Sequence, residues 1–460
     1  MTPAFTSTYG SLPDALFSRQ SATPVASPAW IAVNTDLAGS LGLPADWLGS
    51  DPALAVLGGN AEVPTALAQA YGGHQFGSWN PGLGDGRALL LGEIVSPTGH
   101  RFDLQLKGSG RTPYSRGGDG RAALGPVLRE YIMSEAMAAL GVPTTRALAA
   151  VQTGESIYRD APTPGYTPGA ILTRVASSHI RVGTFQLRAY HRDISGLRAL
   201  FDHTAARHFP TAQGPADLLS EMMTRQADLI ARWTALGFVH GVMNTDNMLV
   251  CGDTIDYGPC AFMDSYHPQS VFSSIDRQGR YAFANQPQIA LWNIAQFASS
   301  LVPLMPDADR AIKEFTGTIN TFGDLYQSAK DRLMTAKLGL PCTPAAVALV
   351  DRLLRIMMDI GADYTLTFAA LDRPLNHPDH LDWLRDWHAL RPDHDQIGRT
   401  NPQVIPRLHQ IQTVIDAATE GDFAPFRALL AATTAPMTAN ADFQNPPLPH
   451  QQVAATFCGT

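Results

Sequence analysis

Residues 237–266 read GFVHGVMNTDNMLVCGDTIDYGPCAFMDSY. Two short polar strings stand out in this stretch: HGVMNTDN at 240–247 and Asp256-Tyr257-Gly258. The spacing predicts a loop, a short strand and a second loop. Asn247 and Asp256 offer an amide oxygen and a carboxylate oxygen, hard ligands suited to magnesium bridging phosphate oxygens. A turn aspartate before Gly258 is the bland alternative for Asp256. Its placement across a short strand from Asn247 favours the metal. Asp246 is the carboxylate available in the first loop.

Upstream, apolar positions from Leu218 to Leu236 recur at helical spacing and stop at Gly237. Further upstream the pattern changes. Ala88–Val95 is a short apolar run, and Phe102, Leu104 and Leu106 alternate with Asp103 and Gln105, as in a half-buried strand. A helix is expected over 124–140, then strands near 147–151 and 170–174. Glycine-rich strings, GLGDGR at 82–87 and GSGRTPYSRGGDGRAALG at 108–125, sit between these elements. Each is a plausible plain turn, but glycines also let backbone N–H groups approach phosphates. Downstream, helices are expected at 289–302, 310–336, 344–361 and 403–431. Residues 1–65 show no strong period and are expected to form an irregular arm with short helices.

Composition narrows the classes. Over 460 residues the net charge is -8, from 33 basic and 41 acidic side chains, which argues against nucleic acid as the main partner. A local basic pocket is still compatible with that balance. The four cysteines, Cys251, Cys260, Cys342 and Cys458, form no C-x-x-C pair, so a structural zinc site has little support. No window reaches the length of an apolar membrane helix and no secretory leader is visible. A cytoplasmic, monomeric protein that does not engage membranes is expected.

Phosphate chemistry also needs cations. Lys107 ends the alternating strand and Glu130 lies on the next helix. In kinase-type folds a strand lysine contacts phosphate oxygens and a helix glutamate holds that lysine. Taken singly, a surface lysine and a solvated glutamate explain the pair better. Arg87 directly follows the first glycine turn, and Arg174 and Arg181 lie seven residues apart in LTRVASSHIRVG; brought close to the glycine loops, they would suit a triphosphate. The string HGVMNTDN is similar to the loop of aminoglycoside-kinase-like sequences, but Val242 stands where they carry the aspartate base. The expected fold is α+β: bilobal and protein-kinase-like, with a sheet-containing N-lobe at 66–190 and a mainly helical C-lobe at 191–440. Residues 1–65 would be the arm and 441–460 the tail.

The strings AYGGHQFGSWNPGLGDGRALLLGEI (70–94), DLQLKGSGRTPYSRGGDGRAALGPVLREYIMSEAM (103–137), ILTRVASSHIRVGTFQ (171–186) and the opening stretch together resemble the selenoprotein O family of protein AMPylases, once classed as pseudokinases. The resemblance implies an ATP inverted relative to an ordinary kinase, so that AMP passes to Ser, Thr or Tyr hydroxyls of proteins and pyrophosphate leaves. Uridylyl transfer is attributed to some members. By the same resemblance Gly84, Gly86, Arg87, Lys107, Asp119, Gly120, Arg174 and Arg181 contact nucleotide and Glu130 pairs with Lys107. Asp246 would accept the proton, and Asn247 and Asp256 would hold magnesium or manganese, Asp256 touching nucleotide as well. The resemblance also implies a reversible disulfide between Cys260 and Cys458; two unrelated thiols is the alternative. A kinase-like phosphotransferase and a non-catalytic nucleotide-binding scaffold are the competing functional readings.

Overall fold

The computed structural model describes residues 3–160, 164–453, 455 and 456. An antiparallel sheet dominates the N-terminal part. Its strands are β1 (Phe17–Arg19), β2 (Ala29–Val33), β3 (Leu67–Gln69), β6 (Ala88–Val95), β7 (Arg101–Lys107), β8 (Ala122–Ala123), β9 (Arg146–Arg159) and β10 (Gly165–Ala176). They run in the order β1-β3-β6-β7-β10-β9-β2, with β8 pairing β10 off that path. A separate hairpin, β4 (Gly73–Gln75) and β5 (Ser78–Asn80), stands apart from the sheet.

Residues 3–65 carry the short helices expected of them but are not otherwise irregular. They supply both end strands of the sheet, β1 and β2, together with helices α1 (Thr35–Leu41) and α2 (Asp51–Leu57). Leu37, Leu41, Trp47, Val56 and Leu57 from this segment pack with Leu91, Leu104, Leu106 and Val151 to cover one face of the sheet. Short strands of three and five residues leave no periodic signal long enough to detect.

The other face carries α3 (Leu124–Ala139), buried all round between β9, β10 and the helices Leu408–Thr419 and Ala424–Thr433. The alternation in β7 has a different meaning from half-exposure. Leu104 and Leu106 face the first core, yet Asp103, Gln105 and Lys107 are also buried. Their polar ends find partners: Arg207 for Asp103, Asp85 for Gln105 and Glu130 for Lys107. A buried polar face of this kind is tolerated only when each group is paired.

After α4 (Val182–Tyr190) and α5 (Ile194–His208) the chain is helical. The helix α6 (Pro215–Leu236) ends where Gly237 adopts a left-handed φ of 69°. Next come α7 (Gln286–Leu301), α8 (Ala308–Ile319), α9 (Phe322–Lys337) and α10 (Pro344–Ile360). The helix expected over 310–336 is thus two, broken at Asn320–Thr321, and that over 403–431 is two, broken around Gly421. The whole is a mixed α/β protein with a sheet-rich N-terminal region and a helical C-terminal region. Among the described residues no helix is long and apolar enough to cross a membrane.

Lys337, at the end of α9, is buried against the rings of Phe368 and Tyr364, its Nζ 4.5 Å and 5.7 Å from their centroids. Burial pushes its ammonium down to about 7. An unfolded lysine titrates near about 10.4, so between these values the unfolded chain binds more protons and stability rises with pH. Lys337→Met is therefore expected to raise the melting temperature most at pH values near or below about 7, with the gain shrinking toward pH 10. Thermal denaturation across that range checks it; a gain independent of pH contradicts it.

Candidate active site

The loop 240–258 is held at both ends by short pairing. β11 (Phe238–Val239) pairs with β12 (Ala261–Phe262). His240 is stacked on Trp233, its Nε2 donates to the Ile255 carbonyl at 2.8 Å, and its backbone N–H donates to Gln286. Burial lowers the His240 pKa, so the ring is a neutral strut between the loop's two halves. The short strand expected between Asn247 and Asp256 does not form. Instead, Val182 and Val250 donate across to Met248 and Ile180, with Arg181 bridged to Leu249. This ties the loop to the start of α4.

Asp256 adopts a left-handed φ of 65°, unusual for a residue with a Cβ and of the kind found at functional sites. Its carboxylate meets three cations. Arg181 Nη1 lies 2.7 Å from Oδ2, Arg174 Nη2 binds Oδ1, and Lys107 Nζ is 3.5 Å away. Glu130, reaching in from α3, holds Lys107 and Arg174 at 2.5 Å each. Burial alone would raise both carboxyls; Arg174 first, then Lys107 and for Asp256 also Arg181, outweigh it and hold both below the ordinary range. Burial lowers the Lys107 pKa, with Arg174 adding to the effect.

Asp246 lies beside this cluster and is only 8% exposed. Burial raises its pKa to about 6, with Arg181 opposing, so it is ionised at neutral pH. Gln75 Nε2 donates to its Oδ2 at 3.2 Å, while Oδ1 is buried with no hydrogen-bond partner among the described residues. Asn247 donates its amide N–H to the Val242 carbonyl at 2.9 Å.

These groups open on one cavity of about 600 Å³. All twelve nucleotide, metal and base positions named from the sequence line it: Gly84, Gly86, Arg87, Lys107, Asp119, Gly120, Glu130, Arg174, Arg181, Asp246, Asn247 and Asp256. Arg116, Arg121 and Arg159 bring its cationic side chains to seven, against five carboxylates. The cavity is thus locally positive in a chain of net charge -8, as a polyanion requires. Arg159 grips Asp119 through two hydrogen bonds, at 2.7 Å and 3.1 Å. A methyl on Gly120 would lie 2.1 Å from the Gly110 carbonyl, and its φ is 69°. Glycine is the residue that permits these two loops to touch.

The donor set fits magnesium. Asn247 and Asp256, which both line the cavity, would offer the ion an amide oxygen and a carboxylate oxygen. Among the described residues no three His, Cys, Asp or Glu side chains form a cage. Magnesium is commonly held by one or two carboxylates, the remaining positions going to water and substrate phosphates. Cys260 is buried outside this cavity, its Sγ 3.5 Å from the Tyr257 carbonyl, and Cys458 lies outside the described residues. Sequence reasoning assigned no role to Tyr71, Gln75, Phe76, Tyr114 or Asp85, which also line the cavity. The string AYGGHQFG was visible, but a lone glutamine carries no chemical signature of its own.

An α+β protein whose sheet, α3 and a loop ahead of its helical region converge on a cation-rich, carboxylate-bearing cavity belongs to the class that handles phosphorylated substrates. The chain is a member of the protein adenylyltransferase SelO family, whose profile matches residues 1–388. It is 53% identical to the protein nucleotidyltransferase YdiU of Jannaschia sp. (strain CCS1), covering 99% of each chain. It is 49% identical to the protein of that name from Roseobacter denitrificans, covering 100% of each. A Bacillus cytotoxicus relative of that name is 49% identical over 99% of this chain and 97% of its own. The chain is accordingly a nucleotidyltransferase.

Glu130→Ala leaves Lys107 and Arg174 buried without one of the two carboxylates they share. We expect a loss of about 3–5 kcal/mol in unfolding free energy, the range for breaking one side of a buried ion pair. Urea denaturation measures it. A change below about 1 kcal/mol, as for an exposed pair, would contradict the burial described.

Proposed function

We propose that the cavity holds ATP with magnesium or manganese and that the chain transfers AMP to Ser, Thr or Tyr hydroxyls of protein substrates, releasing pyrophosphate. The observation that carries this reading is the meeting of Asp246, with one oxygen unpartnered, and the Lys107–Arg174–Arg181 cluster in one cavity, while Val242 occupies the usual base position of a kinase-type loop.

In this reading Lys107, Arg174 and Arg181 exchange part of their grip on Asp256 for phosphate oxygens. Glu130 keeps Lys107 and Arg174 aimed during that exchange. Gly84, Gly86, Arg87, Asp119 and Gly120 hold the remainder of the nucleotide. Asn247 and Asp256 would hold the divalent ion, which when bound supplies positive charge against the phosphate oxygens. Asp246 takes the proton of the attacking hydroxyl, and the oxygen freed of that proton forms the new bond to the α-phosphorus as pyrophosphate departs. Much of the barrier reduction then comes from fixed cations at the phosphate, as in phosphoryl transfer generally.

The same reading treats 66–190 and 191–440 as the two lobes of a kinase-like scaffold, with the nucleotide inverted between them. It also takes the protein to be monomeric and cytoplasmic. A Cys260–Cys458 disulfide would tie the tail to this scaffold. The hydrogen bond from Thr456 Oγ1 to the Pro259 carbonyl, at 2.6 Å, supports that closeness.

Incubation with ATP labelled at the α-phosphate, magnesium and a protein mixture is expected to label protein. Label arriving only from the γ-phosphate would mark a phosphotransferase instead, and ATP binding with no transfer a scaffold. Asp256→Ala is expected to abolish transfer. Asp246→Asn should slow turnover by about 10²–10⁴-fold, the usual contribution of a general base, with ATP affinity nearly unchanged. Turnover equal to the parent's would remove Asp246 from that role.

A further inference from the structure

The hairpin β4–β5 belongs to no larger sheet, yet its first strand and turn grip the loop 244–246 residue by residue. Gly73 lies so close to Asp246 that a methyl there would come within 2.8 Å of Oδ1. His74 N–H donates to Thr245 Oγ1 at 2.7 Å. Gln75 Nε2 donates to Asp246 Oδ2 at 3.2 Å. Phe76 N–H donates to Asn244 Oδ1 at 3.1 Å, and Tyr281 OH donates to that same oxygen at 2.6 Å. Phe76 has a φ of 52°, and its ring leans on Tyr281 with centroids 5.1 Å apart.

The hairpin is secured without Gln75. The His74 ring sits against Trp79 and Trp292 and meets Gln186 at 3.0 Å. Trp79 packs on Tyr190 of α4. The Gln75 side chain thus has one bond to the catalytic loop, and that bond goes to a carboxylate whose other oxygen is buried and unpartnered.

We infer that Gln75 is a positioning residue for the transfer reaction: by binding Oδ2 of Asp246 it fixes the plane in which the carboxylate faces the cavity. This rests on the reading of Asp246 as proton acceptor. Rotation of an untethered carboxylate would spread the acceptor over several orientations, and misplacement by about 1 Å is costly in a proton transfer. Gln75 touches no reacting atom in this account. Its effect falls on turnover and not on nucleotide capture, which the arginine cluster performs.

The test compares the parent chain with Gln75→Leu and Gln75→Glu, using α-labelled ATP, magnesium and one labelled protein acceptor. Gln75→Glu keeps the shape of the side chain but sets a second carboxylate against Asp246 in place of the amide donor. Both variants are expected to lose roughly 10- to 100-fold in kcat, the factor for one hydrogen bond to a charged group. KM for ATP and the melting temperature should stay close to the parent's. Parent-like kcat in both variants would overturn the inference, as would a rise in KM for ATP with kcat unchanged. Failure of the parent itself to transfer α-label would instead refute the adenylyl-transfer reading.

Discussion

Asp256 stands at the junction of everything the structure builds. Its carboxylate joins Lys107 from β7, Arg174 from β10 and Arg181 from the start of α4, and Glu130 of α3 closes the cluster from behind. Four chain segments meet through charge rather than through apolar packing. Such a buried cluster is weak as a source of net stability, because desolvating each ion offsets most of the attraction. Its value lies in preorganisation. Cations already stripped of water and gathered at one point would need only to exchange part of their grip on Asp256 for a phosphate. The left-handed backbone at Asp256 is tolerated because His240 and Gly258 fix the turn on both sides.

The loop 240–258 is framed by elements that sequence order keeps far apart. Gln75 and Asp246 are separated by 171 residues, and Lys107 and Asp256 by 149. The hairpin β4–β5 grips the loop at 244–246, and the ion cluster gathers on Asp256. Asp246 is thereby desolvated while one oxygen stays uncommitted. Desolvation raises its affinity for a proton, and Arg181 limits the rise so that the carboxylate is ionised at neutral pH. Membership of the adenylyltransferase family accords with a cavity built for a polyanion in an acidic chain.

Much of the sheet and of the helical region was legible because their periods are long. β6, β7, α3, α6 and α10 match the patterns of apolar residues within three positions. The end strands β1 and β2 were not, being too short to show alternation. The two helix breaks, at Asn320–Thr321 and around Gly421, were hidden because both helices of each pair continue an apolar face. In β7 the alternation was read correctly and its environment was not, since pattern alone cannot tell water from a ring of paired charges. The cavity's nucleotide positions came from family resemblance. Gln75, Tyr71 and Tyr114 became visible only with the fold, because their significance depends on what lies across the cavity.

The central claim is that the cation cluster grips the outer phosphates and presents the innermost phosphorus to Asp246. A crystal structure with magnesium and a non-hydrolysable ATP analogue tests it most directly. The account predicts β- and γ-phosphate oxygens on Lys107, Arg174 and Arg181, with the α-phosphorus facing the Asp246 carboxylate. An adenine ring seated against those cations, with the γ-phosphate at Asp246, would contradict it.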